Sequence, residues 1–346
     1  MQKILCVLLA VVFVWGSLPV SAETAESVSV SAYAAVLYEP VSGTVLFEKN
    51  SREVLPVAST TKIMTALVVT ERCDLDRLVT VPPEATGIEG SSMYLKAGEQ
   101  LTVRELLYGL MLHSGNDAAV ALALCSAGSV ERFVGWMNET AQSLALCNTH
   151  FANPNGLDDD ENYSTAHDLA ILTRYALKNP DFLRIVSTRS IRAAGRCLTN
   201  HNRLLWSLKG AIGVKTGYTR AAGRILVSAA ERCGRRLIVV TINDGNDWRD
   251  HSALYDYGFS LYQTRIALRR GDAVAELKLL DGSLAVLKAG EDFSCTLKDG
   301  EQVSVRVQYP RFAFRCGLPG TPAGIGSVWV GQTCLGTISL IWGECE

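Results

Sequence analysis

Three apolar, strand-like runs follow one another almost without interruption, at residues 211–219, 224–229 and 236–242. The stretches between them are too short to hold a crossover helix, so neighbouring runs can pair only as antiparallel strands. Such a meander must find another layer to cover its apolar face. That layer is written upstream. Residues 59–73, 101–112, 117–125 and 163–177 read as helices, and Ile63, Ala66, Leu67 and Thr70 share one face of the first. Thr102 followed by Glu105 has the spacing of a capping box. Ahead of the helices, residues 34–38 and 45–47 flank the turn Pro40-Val41-Ser42-Gly43, the pattern of a hairpin. A closing helix is expected over 255–262. Helices gathered between an N-terminal hairpin and late consecutive strands define an α+β fold with an antiparallel sheet.

Past about residue 265 the character changes. Short apolar or alternating runs at 275–280, 284–287, 303–308 and 327–331 are separated by Asp-Gly and Pro-Gly turns, which describes a small all-β domain. At the other end, Lys3 precedes an unbroken apolar run from Ile4 to Trp15, followed by Val20-Ser21-Ala22. A basic start, a short apolar core and a small-residue exit describe a secretory leader. The run is short for a permanent membrane span. The expected organisation is a leader over 1–22, a larger domain over 23–265 and the β-rich domain over 266–346, with the mature chain outside the cytoplasm.

Composition narrows the partners. The chain has 33 Lys+Arg against 35 Asp+Glu, a net charge of −2, which supplies no bulk field for nucleic acid or an anionic membrane surface. Of the 10 cysteines, Cys6 falls in the leader, and the remaining odd number cannot all pair within one molecule. Cys125 and Cys147 read as small buried thiols on apolar helical stretches, while Cys295, Cys316, Cys334 and Cys345 leave room for two bridges in an exported chain. The 5 histidines form no H-E-x-x-H and no cluster with cysteine, so neither a metal nor a cofactor is expected.

Three short motifs carry the chemistry. Ser59-Thr60-Thr61-Lys62 opens the first helix, which puts Lys62 one turn from the Ser59 hydroxyl on the same face. An amine whose pKa is depressed by burial or neighbouring cations can deprotonate a serine without histidine. Taken alone, S-x-x-K turns up about once by chance in a chain this long. Ser114-Gly115-Asn116 has ordinary helix–helix turn chemistry, but also a hydroxyl and an amide that can serve a substrate. Lys215-Thr216-Gly217 lies in a strand, where glycine is useful if a ligand must approach the backbone closely. Ser114 follows Ser59 by 55 positions and Lys215 follows Ser114 by 101. In that order the three match the set used by penicillin-binding proteins and class A β-lactamases.

With these motifs, the chain from about residue 34 to 262 closely resembles the low-molecular-mass penicillin-binding proteins, the D-alanyl-D-alanine carboxypeptidases of peptidase family S11. The resemblance extends through Pro56 to Ala66, Leu112 to Ala118, Asn155 to Asp158 and Gly213 to Thr219. It implies a penicillin-binding-protein/β-lactamase-like transpeptidase fold with a C-terminal all-β domain. It also implies a serine enzyme that removes the terminal D-alanine from peptidoglycan pentapeptide stems and binds β-lactams. On that resemblance Ser59 is the nucleophile, Lys62 the base and Ser114 the proton relay. Asn116 orients the substrate amide, Lys215 and Thr216 face its carboxylate, and Gly217 lets the peptide lie along the strand. The backbone N–H groups of Ser59 and Tyr218 form the oxyanion hole, and Arg249 is a second carboxylate ligand. Two departures stand out: Tyr218 occupies a position often held by histidine, and residues 335–346 read as strand instead of an amphipathic membrane-binding helix. A serine β-lactamase or a D,D-endopeptidase would use the same residues. A β-lactamase of class A also needs a glutamate for deacylation, and none matches near Asn155–Glu161. A non-catalytic wall-binding protein would be expected to lack Ser59 or Lys62.

Overall fold

The computed structural model describes residues 28–279, 282–298, 300–308 and 317–345. Its centre is a five-stranded antiparallel sheet made of β1 (Ala34–Glu39), β2 (Thr44–Lys49), β3 (Ala211–Thr219), β4 (Gly223–Arg232) and β5 (Arg235–Ile242), in the order β2-β1-β5-β4-β3. The first hairpin and the late meander thus join through β1 and β5. Strand side chains alternate between faces, and both faces are covered. Val36, Val227 and Val240 enter the larger core against the helices, whereas Ala35, Leu37, Leu237 and Val239 enter a second core on the other side. All six residues of β1 are therefore buried. β3 is the edge strand at the opposite end from β2, with one side unpaired within the sheet.

The helices are α1 (Lys62–Arg72), α2 (Val103–Leu112), α3 (Asn116–Ala127), α4 (Val130–Ser143), α5 (Ala166–Ala176), α6 (Pro180–Ser187), the short α7 (Leu204–Ser207) and α8 (Asp247–Ser260). The capping box forms at α2: Thr102 Oγ1 accepts from the Glu105 N–H at 3.1 Å, and the Glu105 carboxylate accepts from the Thr102 N–H at 2.9 Å. Such a cap contributes about 1 kcal/mol. Past Asn116 and Asp117, α3 is apolar on every face from Ala118 to Cys125, as suits a helix inside a core, and Ala118, Ala119, Ala121, Leu122 and Ala123 are all fully buried. It ends at Gly128, whose φ of +85° makes the left-handed cap that favours glycine.

Several expected boundaries change. The helix expected from residue 59 begins at Lys62, because Ala58–Thr61 is a 3₁₀ turn. Tyr163–Ser164 pairs with Leu55–Pro56 as a short strand instead of opening a helix. The closing helix, expected over 255–262, starts at Asp247 and gives way to a strand at Tyr262. Asp247 and Asp250 suit the positive end of a helix, yet their polarity hides the apolar period. α4 and α6 lie in stretches to which the sequence assigned no element. α4 buries only Phe133, Met137, Thr140 and Ala141, a narrow stripe on a polar helix.

The C-terminal part is sheet-rich, as expected. Tyr262–Leu268 pairs with Phe293–Lys298. A five-stranded sheet runs in the order Ala273–Lys278, Leu284–Ala289, Thr333–Cys345, Pro322–Val330, Ser304–Gln308 around Leu277, Leu287, Val328, Ile338 and Leu340. The leader expected at 1–22, Cys6 and Cys316 lie outside the described residues. The cysteine reading is corrected: Cys147 is exposed and Cys125 only half-buried, and Cys295 and Cys334 are free thiols, so neither belongs to a bridge.

Candidate active site

The 3₁₀ turn and α1 present Ser59 and Lys62 to a cleft of about 700 Å³ lined by Ser59, Ser114, Thr216, Gly217 and Tyr218, among others. Ser59 is half-buried, so its hydroxyl is reachable, while Lys62 is fully buried. Lys62 Nζ lies 2.9 Å from Ser59 Oγ and 2.7 Å from Asn116 Oδ1, and it also donates to the Asn155 carbonyl. Three donors meet three acceptors, which satisfies an ammonium in full. The same geometry suits a neutral amine: two N–H bonds go to Asn116 and Asn155, and the lone pair faces the Ser59 hydroxyl. Burial and the nearby Lys215 cation push the Lys62 pKa well below its ordinary value, with Asp117 opposing. Burial also lowers Lys215, to about 7. Its ammonium donates to the Thr216 carbonyl at 2.7 Å.

Close backbone packing holds this group together. Gly156 has φ +82°, and a Cβ there would lie 2.0 Å from the Ala58 carbonyl oxygen; only glycine lets the loop that carries Asn155 press against the Ser59 turn. A Cβ on Gly217 would lie 3.3 Å from the Ser59 nitrogen, so the edge strand β3 passes directly beside that amide. Ala58 and Ser114 adopt left-handed φ values of +44° and +60°. For residues with a Cβ this costs on the order of 1–3 kcal/mol each, and the surrounding packing must hold it in place.

Of the nine residues expected in the site, Ser59, Lys62, Ser114, Asn116, Lys215, Thr216, Gly217 and Tyr218 converge on this cleft or its floor. Asn116 is committed on both sides, its Oδ1 accepting from Lys62 and its Nδ2 donating to the Glu89 carbonyl. Tyr218 stands at the rim, 66% exposed. Arg249 is not brought in. It is exposed on the first turn of α8, and the arginines that line the cleft are Arg203 and Arg224. Sequence reasoning also missed Asp117. Buried behind Asn116, it accepts from Ser92 Oγ at 2.6 Å and from the Met93 and Leu95 N–H groups at 3.0 Å each, pinning the 91–95 loop beside the cleft. Its position one residue after Ser-Gly-Asn was the available signal, since an acid at a helix start is favourable.

A helical cluster and an edge strand closing on a serine–lysine pair define the class of penicillin-recognising serine enzymes. Comparison with known proteins is more specific, and the chain belongs to peptidase family S11, the D-alanyl-D-alanine carboxypeptidases, whose family model matches residues 21–246. The D-alanyl-D-alanine carboxypeptidase DacF of Bacillus subtilis (strain 168) is 36% identical over 79% of this chain and 74% of its own length. Among solved structures, the D-alanyl-D-alanine carboxypeptidase DacD from Francisella tularensis superposes with a TM-score of 0.68 at 25% identity, covering 92% of this chain and 94% of that one. Penicillin binding protein 5 from Haemophilus influenzae gives 0.68 at 29% identity, covering 91% and 98%.

Proposed function

We propose that this chain is a serine-type D-alanyl-D-alanine carboxypeptidase that trims the terminal D-alanine from peptidoglycan stem peptides and is acylated by β-lactams. The observation that carries the reading is the contact between Lys62 Nζ and Ser59 Oγ at 2.9 Å, with the amine buried and the hydroxyl open to the cleft. Neutral Lys62 takes the Ser59 proton as Oγ adds to the carbonyl of the penultimate D-alanine. Backbone N–H groups at Ser59 and Tyr218 meet the oxyanion. As the tetrahedral adduct collapses, the C–N bond breaks, and the leaving amine receives a proton through Ser114. Water then hydrolyses the Ser59 ester, which frees the shortened stem and returns the hydroxyl. Asn116 holds Lys62 in register, Lys215 and Thr216 face the carboxylate, and the stem lies along β3 as an added strand, with Gly217 leaving room for it. Export through the N-terminal segment places the reaction at the cell wall, outside the cytoplasm.

The test is intact-mass analysis with benzylpenicillin for wild type and Ser59→Ala, beside D-alanine release from a pentapeptide ending in D-Ala-D-Ala. A long-lived adduct on wild type alone, with D-alanine release, is expected. An adduct that clears within seconds without D-alanine release would instead make the chain a β-lactamase. Absence of any adduct in folded protein would end the serine reading.

A further inference from the structure

The substrate class proposed above ends in a carboxylate, and β3 supplies only one cation to meet it. Lys215 is fully buried and turned onto the Thr216 carbonyl. A permanent positive charge on the cleft wall would complete the site, and Arg203 and Arg224 are the candidates that line it. They differ in how they are held. Arg224 is the cross-strand neighbour of Tyr218, directly beside the Lys-Thr-Gly segment. Its Nη2 donates to both oxygens of Asp247, at 2.8 and 2.7 Å, and its Nε donates to Oδ2 at 3.2 Å. That grip occupies one edge of the guanidinium and leaves Nη1 to a ligand. The Asp247 side chain is only 4% accessible against 47% for Arg224, so the acid is the anchor and the arginine the presented group. Asp247 also accepts from the Trp248 N–H at 2.9 Å, and the Arg224 guanidinium lies 5.9 Å from the Trp248 ring centroid. A guanidinium fixed in this way gives up little side-chain freedom when it binds.

We propose that Arg224, oriented by Asp247, receives the terminal carboxylate of the substrate and sets the preference for a free C-terminus, the role that the resemblance placed on Arg249. The assignment rests on the carboxypeptidase reading. Asp247 balances the Arg224 charge while the site is empty, and the incoming carboxylate then shares the Arg224 fork with Asp247 and faces Lys215 from the other side. Among the described residues, Arg203, which precedes α7, has no comparable brace.

The experiment compares kcat/KM for an N-acylated peptide ending in D-Ala-D-Ala with that for its C-terminal methyl ester, in wild type, Arg224→Ala, Arg224→Lys, Asp247→Asn, Arg203→Ala and Arg249→Ala. Loss of a charge-assisted hydrogen bond to a carboxylate predicts that Arg224→Ala lowers the acid/ester ratio about 10- to 100-fold, mainly through KM. Arg224→Lys should keep part of the ratio, since it retains charge without the fork, and Asp247→Asn should lower it by a smaller factor. A ratio that holds in Arg224→Ala and falls in Arg249→Ala or Arg203→Ala overturns the assignment. An equal loss on acid and ester also overturns it, because Arg224 would then only brace the β3–β4 hairpin. If wild type neither releases D-alanine nor forms a penicillin adduct, it is the carboxypeptidase reading that fails, and this is seen before any ratio is taken.

Discussion

A serine lies paired with a base on each side of the sheet, Ser59 on the 3₁₀ turn before α1 and Ser228 on β4, and of these two only the first opens to a cleft. On the helical side, Lys62 Nζ meets Ser59 Oγ at 2.9 Å. On the α8 side, His251 Nδ1 meets Ser228 Oγ at 2.7 Å, His251 Nε2 meets Thr241 Oγ1 at 3.0 Å, and the Tyr255 hydroxyl closes the network on Ser228 at 2.7 Å. By residue type the second pair is the more familiar catalytic one. It is nevertheless sealed: Ser228, His251 and Tyr255 are all fully buried, and burial drives His251 down to about 3, so it stays neutral. Both ring nitrogens are occupied by hydroxyls. The comparison teaches that a serine beside a base becomes a site only where the hydroxyl has access and cations await the substrate. Without them the same chemistry is a satisfied polar core.

Substitutions can break this comparison, and the largest effect should come from the open pair. Ser59→Ala or Lys62→Ala should lower acylation by benzylpenicillin by at least about 10⁴-fold, judged from the removal of nucleophile or base in other serine enzymes. Ser228→Ala should leave the rate per folded molecule within about twofold. If Ser228→Ala abolished acylation in folded protein, the roles of the two sides would have to be exchanged.

Stability should show the reverse order. His251→Ala takes one hydrogen-bond partner each from the buried Ser228 and Thr241 hydroxyls and opens a cavity, which should cost about 2–4 kcal/mol in urea unfolding with little change in acylation. Its pH signature has a definite sign. His251 is depressed to about 3 from an ordinary 6.5, so between those values the unfolded chain holds the extra proton and wild type loses stability as pH falls. Replacing His251 should flatten that acid limb.

The lysines act in the alkaline range. Lys215 is lowered to about 7 from 10.5. The unfolded chain therefore binds more protons between these values, and stability should rise with pH across that window. Lys62 is shifted in the same direction. Lys215→Met should remove part of the slope between pH 7 and 9, read as the denaturation midpoint, and should also weaken acylation. A slope unchanged in Lys215→Met would mean that this ammonium is better solvated than its burial implies. The smallest effect is a control away from both pairs. Thr102→Ala should cost about 1 kcal/mol through the α2 cap and alter neither acylation nor the pH slopes.

How much was legible in the sequence follows from how local each feature is. The meander of β3, β4 and β5 could be read because strand alternation and tight turns are properties of adjacent residues. The capping box at Thr102 and Glu105 was readable for the same reason. α4 is not legible because its stripe is narrow, and α8 reads late because Asp247 and Asp250 interrupt the apolar period at its start. Within the site, Ser59 and Lys62 are one turn apart and declare themselves. Arg224 and Asp247 are 23 positions apart, and nothing in either neighbourhood predicts that the two will grip each other.

The sequence by itself determined the α+β class, the family and the three motifs, because these depend on short spacings and on the order in which they occur. Tertiary structure alone decided which serine–base pair is reachable, that Gly156 lets the Asn155 carbonyl reach Lys62, and that Arg224 faces the cleft while Arg249 does not. Access, burial and charge proximity are set by segments that meet only on folding, and those quantities fix whether a lysine is a base and an arginine a ligand.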